Sequence, residues 1–530
     1  MASELESQAE TIIEDRTELD ATGTTGTQPG AEAATLQLFN TLGLKIETLA
    51  PADGRALRMY ACGPTVYDYG HIGNFRTFLH VDVLRRFLRQ LGMKVEHVMN
   101  ITDVDDKIIR NAALTGKSIE DYSAKFEQAF FEDMDSLAIE RPEHLPRATE
   151  SIPEMVSLIE QLAAKGIAYQ AEDGSWYFRI DRFSEYGKLS KKDFAGIEDG
   201  ARVDVEEYDK DAARDFALWK AVKPTADGSL ERHWATALGA GRPGWHIECS
   251  AMAAKYLGEN IDLHAGGEDL MFPHHENEIA QSESATGHTF ARHWMHVRFL
   301  LVEGRKMSKS DNNFYTLRDL LLKGYRASAI RFLLISVPYR HQLNFTFDGL
   351  LESTNAVDRL RTFHQRLRKG GFATGLDAEI AAETVKARLE FTASLANDLN
   401  TAEARAAIFD LVRRANSAAD AGTLLADNVA EILAVLALFD GIFAVLEDRD
   451  AEITRAAIAW AEREDRMDEV ASELVEKLSF SDAEIDALVA ERTQAKKTRN
   501  FARADAIRND LLAKGILLED SKDGVRWKRK

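Results

Sequence analysis

An α/β fold built on a doubly wound parallel sheet, interrupted by an insertion and followed by a long helical region, is what the 530-residue sequence predicts. Three observations carry this. A strand, helix, strand succession occupies residues 58–101, motif-rich and sheet-like sequence resumes at Gly241 after a mixed, charged stretch, and from about Tyr325 onward the periodicity is almost wholly helical.

Taken in order, residues 1–35 read as a disordered acidic tail. Met1 to about Ala34 holds eight acids against the single base Arg16, with almost no large apolar side chains, and lacks the Arg-rich pattern of a transit peptide. Arg58 to Tyr67 reads as a strand. Phe75 to Gly92 puts Phe78, Leu79, Val83, Leu84, Phe87, Leu88 and Leu91 on one helical face and ends at glycine. Lys94 to Ile101 reads as a second strand, parallel to the first because a crossover helix joins them, so ligands are expected at the carboxyl ends of these strands. Residues 36–110 are thus the first half of a Rossmann-like domain. Residues 111–240, with helical stretches near Ile119–Leu137 and Ser151–Lys165, read as an insertion, and 241–300 as the second half. Residues 301–376 carry a cationic loop, and 377–530, rich in Ala, Leu, Glu and Arg, read as a helical bundle with a basic end.

Composition bounds the function classes. With 45% hydrophobic and 29% charged residues the chain is globular, of roughly three or four domains. No apolar run of about 18 residues appears, so no membrane span is expected. Only two cysteines, Cys62 and Cys249, exclude a disulfide framework and point to a reducing compartment, the cytoplasm. A net charge of −21 argues against a nonspecific nucleic-acid coat. The last forty residues run the other way, with twelve Lys or Arg against six acids. They are either a phosphate-binding tail or a solvated helix end.

The chemistry concentrates in a few short motifs. His71-Ile72-Gly73-Asn74 falls where a strand turns into a helix, so free backbone N–H groups at a helix N-terminus face an anion there, and Gly73 lets a flat base approach the backbone. Alone it is only a turn. Its partner is Lys306-Met307-Ser308-Lys309-Ser310, which reads as a mobile loop whose two cations can close on a triphosphate and neutralise charge growing during nucleotidyl transfer. By itself that run is a solvated face. Cys62 and Cys249 each lie in a polar motif, and Cys249 precedes His274-His275-Glu276-Asn277-Glu278, so two thiols, an imidazole and a carboxylate compose a candidate metal site. Soft thiolates suit Zn²⁺ better than a hard cation, and the local Cys-x-x-Cys pairs of most structural zinc sites are absent.

Together the two loops resemble the signatures of class I aminoacyl-tRNA synthetases. The surrounding residues, Cys62-Gly63-Pro64-Thr65-Val66-Tyr67-Asp68, Asn100-Ile101-Thr102-Asp103, Gly244-Trp245-His246-Ile247-Glu248-Cys249 and Asp269-Leu270-Met271-Phe272-Pro273-His274-His275-Glu276, resemble the cysteinyl-tRNA synthetase family. The likeness runs from about Leu36 to Lys530. It implies a connective insertion at 111–240, a stem-contact region at 301–376 and an anticodon-binding bundle at 377–530. It implies one Zn²⁺ held by Cys62, Cys249, His274 and Glu278. It also implies L-cysteine, ATP with Mg²⁺ and a tRNA with a cysteine anticodon as partners, and a monomer. His71, Asn74, Lys306 and Lys309 would be the catalytic residues. Together with Gly73 and Asp269 they would also hold ATP, although Asp269 beside Gly266-Gly267 is equally read as part of a core turn. Gly63, Thr65, Thr102 and Trp245 would wall the cysteine pocket alongside Cys62 and His274, with ordinary core packing the other reading of Trp245. His264, His275 and Glu276 are supporting or structural residues.

Zinc in such a pocket has a physical reason. Rejecting serine by about 10⁴ to 10⁵ needs roughly 5.5 to 7 kcal/mol, whereas a small change in an apolar pocket yields about 1 to 3. A metal bond to the substrate thiolate supplies the difference, so no editing domain is needed. Two positions depart from the family pattern. Asn74 replaces a second histidine, keeping hydrogen bonding without charge, and Asp311-Asn312-Asn313 puts an acid and an asparagine where a leucine and a glycine are usual. Three rivals remain: a cysteine ligase that transfers the adenylate to an amino sugar, a nucleotidyltransferase, and an inactive tRNA-binding paralogue. The helical region and basic end disfavour the first, the Lys306–Ser310 loop the second, and the complete set of motif residues the third.

Overall fold

The computed structural model describes residues 35–192, 202–203, 215–223, 231–474, 482–514, 516–521 and 524–529. The expected disordered tail, but for its last residue, lies outside them. The central sheet has four parallel strands, β1 (Ala56–Ala61), β2 (Lys94–Met99), β3 (Ile261–Gly267) and β4 (Ala291–Val297), in the order β4-β3-β1-β2. Helix α1 (Ile72–Gln90) links β1 to β2, α2 (Trp245–Leu257) leads into β3, and α3 (Glu276–Thr286) links β3 to β4. The chain therefore runs outward in opposite directions from β1 and β3. The crevice between their carboxyl ends is the topological switch point, where open α/β sheets bind ligands.

The boundaries shift from the sequence reading for local reasons. β1 stops at Ala61, not Tyr67, because Gly63-Pro64 breaks the ladder. α1 begins at Ile72, three residues before the expected start at Phe75, because His71 and Asn74 cap it. The helices expected in the insertion form at Ile119–Ser136 and Ile152–Ala164. The insertion also contains a six-stranded sheet, whose strand Gly239–Pro243 crosses the expected boundary at 240. The region from 377 onward is helical until an antiparallel hairpin, Ile516–Ser521 with Gly524–Arg529, replaces the expected helix end. Two six-residue strands leave too short a pattern for period 2 to stand out from the charges around them.

Four clusters of buried residues follow this order. One face of the sheet shares its core with α1 and the helices out to Trp460, and the insertion has a core of its own that reaches α2 and α3. The other face of the sheet packs a third cluster around Cys62, Cys249 and Trp294, and Ile485, Ile507, Leu511 and Ile516 make a small fourth. A fully buried Arg331 ties three regions together. Its guanidinium donates to the carbonyls of Leu137 at 2.8 Å and Phe443 at 2.6 Å, and to Asp82 Oδ2 on α1 at 2.6 Å. Among the described residues no helix is long and apolar enough to cross a membrane.

Candidate metal centre and nucleotide crevice

Strand alternation decides what the sheet presents on each face. Leu57, Met59 and Ala61 of β1 enter the core shared with α1, whereas Tyr60 and Cys62 enter the opposite core, where α2 carries Cys249. β3 follows suit: Leu263 and Ala265 join the first, and His264 stacks on Trp294 beside the second, with ring centroids 4.4 Å apart. His274 stands just before α3 and Glu278 one turn on, so both meet the same edge. The donor atoms of Cys62, Cys249, His274 and Glu278, all buried, lie within 4.8 Å of one another.

The spacing within this group suits a tetrahedral ion. The two Sγ atoms are 4.0 Å apart, Cys62 Sγ is 3.7 Å from Glu278 Oε1, and His274 Nε2 is 3.1 Å from that same oxygen. Bonds of about 2.0 to 2.3 Å to a central Zn²⁺ would separate its ligand atoms by roughly 3.3 to 3.8 Å. The second carboxylate oxygen of Glu278 is held by His264 Nε2 at 2.9 Å, and the other ring nitrogen of His274 meets His246 Nδ1 at 2.9 Å, so these two donors are oriented from behind. A second set, Cys62, His264, His275 and Glu278, also lies within 4.8 Å. It overlaps the first at two residues, and His275 Nε2 is 3.3 Å from Cys62 Sγ.

The charges in this pocket depend on one another. Burial pushes the Cys62 thiol up, and Cys249 beside it pushes it further. Burial would do the same to Cys249, but the hydrogen bond with Cys62 and the nearby His274 bring it down to about 6. Burial opposes charge on His274, yet Cys249 and Glu278 raise it to about 10. Glu278, which burial would raise, is lowered to about 2 by His264 and His274. A thiolate and a carboxylate thus share one imidazolium, and the donor set fits a divalent soft ion that would replace that proton.

Gly63, Thr65, Thr102 and Trp245 lie close to the donors or to one another. Gly63 donates its N–H to Asn100 Oδ1 at 2.9 Å, and a Cβ there would lie 1.7 Å from the Asn100 carbonyl oxygen, so only glycine fits. Thr65 pairs with Thr102 as an isolated bridge, and the Thr102 hydroxyl donates to buried Glu248 at 2.7 Å. Trp245, at the start of α2 and half-buried, places its ring 4.1 Å from that of His274. It covers a donor and is not plain core.

At the other end of the crevice, His71 and Asn74 form a reciprocal cap on α1. His71 Nδ1 accepts from Asn74 N, and Asn74 Oδ1 accepts from His71 N, each at 3.2 Å. The neutral asparagine therefore has a structural reason to stand where a second histidine is usual. Burial lowers His71 to about 4, so its imidazole is neutral and can accept from the backbone. Asp269, exposed just beyond β3, opposes this lowering through its negative charge.

The cationic loop meets this cap directly. Ile72 N donates to the Tyr315 carbonyl at 3.0 Å, Met307 approaches Gly73, and the rings of His71 and Phe314 meet edge to face at 5.2 Å. Lys309 Nζ lies 2.9 Å from Asp68 Oδ2. Lys306 is exposed; its carbonyl accepts from Asn313 Nδ2 at 2.9 Å, and Asn313 Oδ1 accepts from Ser308 N at 2.8 Å. Asn312 adopts φ +52°, a left-handed backbone that asparagine tolerates in place of the usual glycine. Asp68, Asn313 and Glu248 thus act on the site although the sequence reading gave them no role. A signal existed only for Asp68, three residues before His71.

Comparison with known proteins agrees with this architecture. The family model described as tRNA synthetases class I (C) catalytic domain matches residues 48–355, and the DALR domain matches 390–447. A cysteine–tRNA ligase of Koribacter versatilis is 59% identical over 498 residues, covering 93% of this chain and 100% of the relative. Those of Solibacter usitatus and Leptospira interrogans are 55% and 44% identical, each over 93% of the chain and 100% and 99% of the relative. Among solved structures, Mycobacterium tuberculosis methionyl-tRNA synthetase with methionyl-adenylate aligns with TM-score 0.54 at 14% identity, over 81% of this chain and 95% of the other. The LeuRS–tRNA–LeuAMS complex of Agrobacterium radiobacter K84 aligns at 0.52 with 12% identity, over 78% and 86%, and both show the fold alone. On the shared catalytic domain, the helical module and identity across nearly its whole folded length, the chain belongs to the cysteine–tRNA ligase family of class I synthetases.

Proposed function

We propose that the protein activates L-cysteine with ATP and transfers it to a tRNA bearing a cysteine anticodon, as a monomer. The observation that carries this reading is the convergence of two thiols, an imidazole and a carboxylate at one end of a crevice whose other end is a capped helix N-terminus facing Lys309. In the first step the cysteine carboxylate attacks the α-phosphate of ATP, which enters with Mg²⁺, giving cysteinyl-adenylate and pyrophosphate. A hydroxyl of the tRNA terminal ribose then attacks the acyl carbon and AMP leaves.

Cys62, Cys249, His274 and Glu278 would hold Zn²⁺. When bound there, the ion supplies an open Lewis-acidic position that takes a thiolate in preference to a protonated hydroxyl. The remaining work falls to side chains and backbone. Gly63, Thr65, Thr102 and Trp245 orient the substrate, Gly73 and Asp269 contact the nucleotide, and the positive N-terminal end of α1 with His71 and Asn74 faces the phosphates. Lys309 leaves Asp68 and, with Lys306, meets charge that develops as pyrophosphate departs. Two thiols 4.0 Å apart and unbonded suit a reducing compartment, the cytoplasm. The DALR match and the full-length relatives favour tRNA over an amino sugar as acceptor.

The test is ATP–pyrophosphate exchange with cysteine and with serine, followed by transfer to tRNA with a cysteine anticodon. Exchange that requires cysteine and is silent with serine supports the reading. Exchange indifferent to the amino acid contradicts it, and exchange without transfer to tRNA favours the sugar ligase.

A further inference from the structure

Glu276 lies two residues after His274 and two before Glu278, is fully buried, and serves neither as a donor to the metal group nor as part of the pocket wall. Two residues advance an α-helix by about 200°, so Glu276 and Glu278 leave opposite sides of the first turn of α3. The Glu276 carboxylate accepts three backbone N–H groups from the insertion. Oε1 takes Gly187 N at 2.9 Å and Leu189 N at 3.3 Å, and Oε2 takes Ser190 N at 2.8 Å. The same segment reaches α3 twice more, through the Tyr186 hydroxyl to Asn277 Oδ1 and the Lys188 ammonium to Glu283. Its far end is anchored where Lys191 Nζ donates to the Leu42 carbonyl at 2.8 Å.

A buried carboxylate carries a desolvation cost of several kcal/mol that apolar packing would avoid. Three N–H donors offset it and, unlike packing, fix direction, because both oxygens are engaged from a single backbone curve. We propose that Glu276 is a positioning residue: by bolting the first turn of α3 to the Gly187–Ser190 strap of the inserted domain, it sets the rotation at which His274 and Glu278 present their donor atoms. The strap thereby governs how long the metal stays and how tightly cysteine binds, while leaving ATP binding to the opposite end of the crevice. This inference rests on the proposed zinc site.

The test compares wild type with Glu276→Gln, which keeps the volume and one acceptor but turns an amide N–H toward the strap's own donors. Zinc release into a chelating dye and the KM for cysteine and for ATP in pyrophosphate exchange are the readouts, with thermal melting followed in parallel. Loss of a residue that orients a metal ligand typically weakens metal affinity about 10- to 100-fold. The expected result is zinc release faster by at least about tenfold and a parallel rise in the cysteine KM, with the ATP KM within about twofold of wild type. Unchanged zinc release, or cysteine and ATP affected alike, overturns the proposal. If Glu276→Gln does not fold, Ser190→Pro decides: it removes the N–H that Glu276 Oε2 accepts at 2.8 Å while leaving the carboxylate in place, and faster zinc release supports the proposal where unchanged release overturns it. A wild type that binds no zinc defeats the proposed metal site itself, whereas a zinc-bound wild type with an indifferent Glu276→Gln defeats only the bolt.

Discussion

Asp68→Asn should make the enzyme bind ATP better. Lys309 and Asp68 form an ion pair at 2.9 Å, with the lysine side chain 66% and the aspartate 40% exposed. The pairing raises the Lys309 pKa, chiefly through this hydrogen bond, so the lysine is held in its charged form but away from any phosphate. Asparagine removes the charge yet keeps Oδ1, which accepts the Tyr69 N–H at 2.9 Å, so the turn leading to His71 is preserved. Exposed pairs of this kind are worth about 0.2 to 1 kcal/mol, so releasing Lys309 should lower the apparent KM for ATP by roughly 1.4- to 5-fold. The assay is the ATP dependence of cysteine-dependent pyrophosphate exchange for both proteins at low salt and at about 1 M salt, where screening weakens the pair in the wild type and the difference should shrink. An ATP KM that rises in Asp68→Asn, or a gain that persists undiminished in high salt, refutes the idea that the pair is a tether to be broken.

Three other outcomes follow from the same structure. Gly63→Ala drives a Cβ to 1.7 Å from the Asn100 carbonyl oxygen beside Cys62, so denaturant unfolding should show a loss of about 1 to 3 kcal/mol and exchange should lose cysteine affinity before ATP affinity. Arg331→Met strips a fully buried guanidinium from Asp82 and from the Leu137 and Phe443 carbonyls. Breaking a buried pair costs about 3 to 5 kcal/mol, and Arg86, which also bonds Asp82 at 2.9 Å, places the expected loss of unfolding free energy near the lower figure. Finally, burial lowers His71 to about 4 and His97 to about 3 from an ordinary value near 6.5. The unfolded chain therefore binds more protons than the folded one below pH 6.5. Their stabilisation is complete above that pH and falls as pH drops toward 4, approaching about 1.4 kcal/mol per pH unit for each group, which melting curves from pH 7 to 4 would show.

Much of this was legible in the sequence because the relevant periods are short. Alternation along β1 puts Cys62 on the side away from α1, and four-residue spacing puts His274 and Glu278 on one side of a turn. The His71 tetrapeptide announces a helix start, although the sequence assigned its residues to phosphates before the structure showed His71 and Asn74 capping each other. What escaped was set by tertiary contact. The buried histidines 246, 264, 274, 275 and 296 crowd around the thiols, and no local pattern separates a donor from one that braces a donor, as the two overlapping donor sets show. Glu276 has partners nearly ninety positions upstream, and the insertion's strands are short and interspersed with charge, so neither carries a period that a sequence window can register.

On the proposed function, two cysteines 187 positions apart in sequence hold a zinc ion that recognises a third sulfur. X-ray absorption at the zinc edge of the purified full-length protein tests it most directly, with and without saturating cysteine or serine. The expected result is two sulfur and two nitrogen or oxygen neighbours in the free protein, a third sulfur on adding cysteine, and no change in sulfur count with serine. A protein without zinc, a free protein with other than two sulfurs at the ion, or a sulfur count indifferent to cysteine would contradict it.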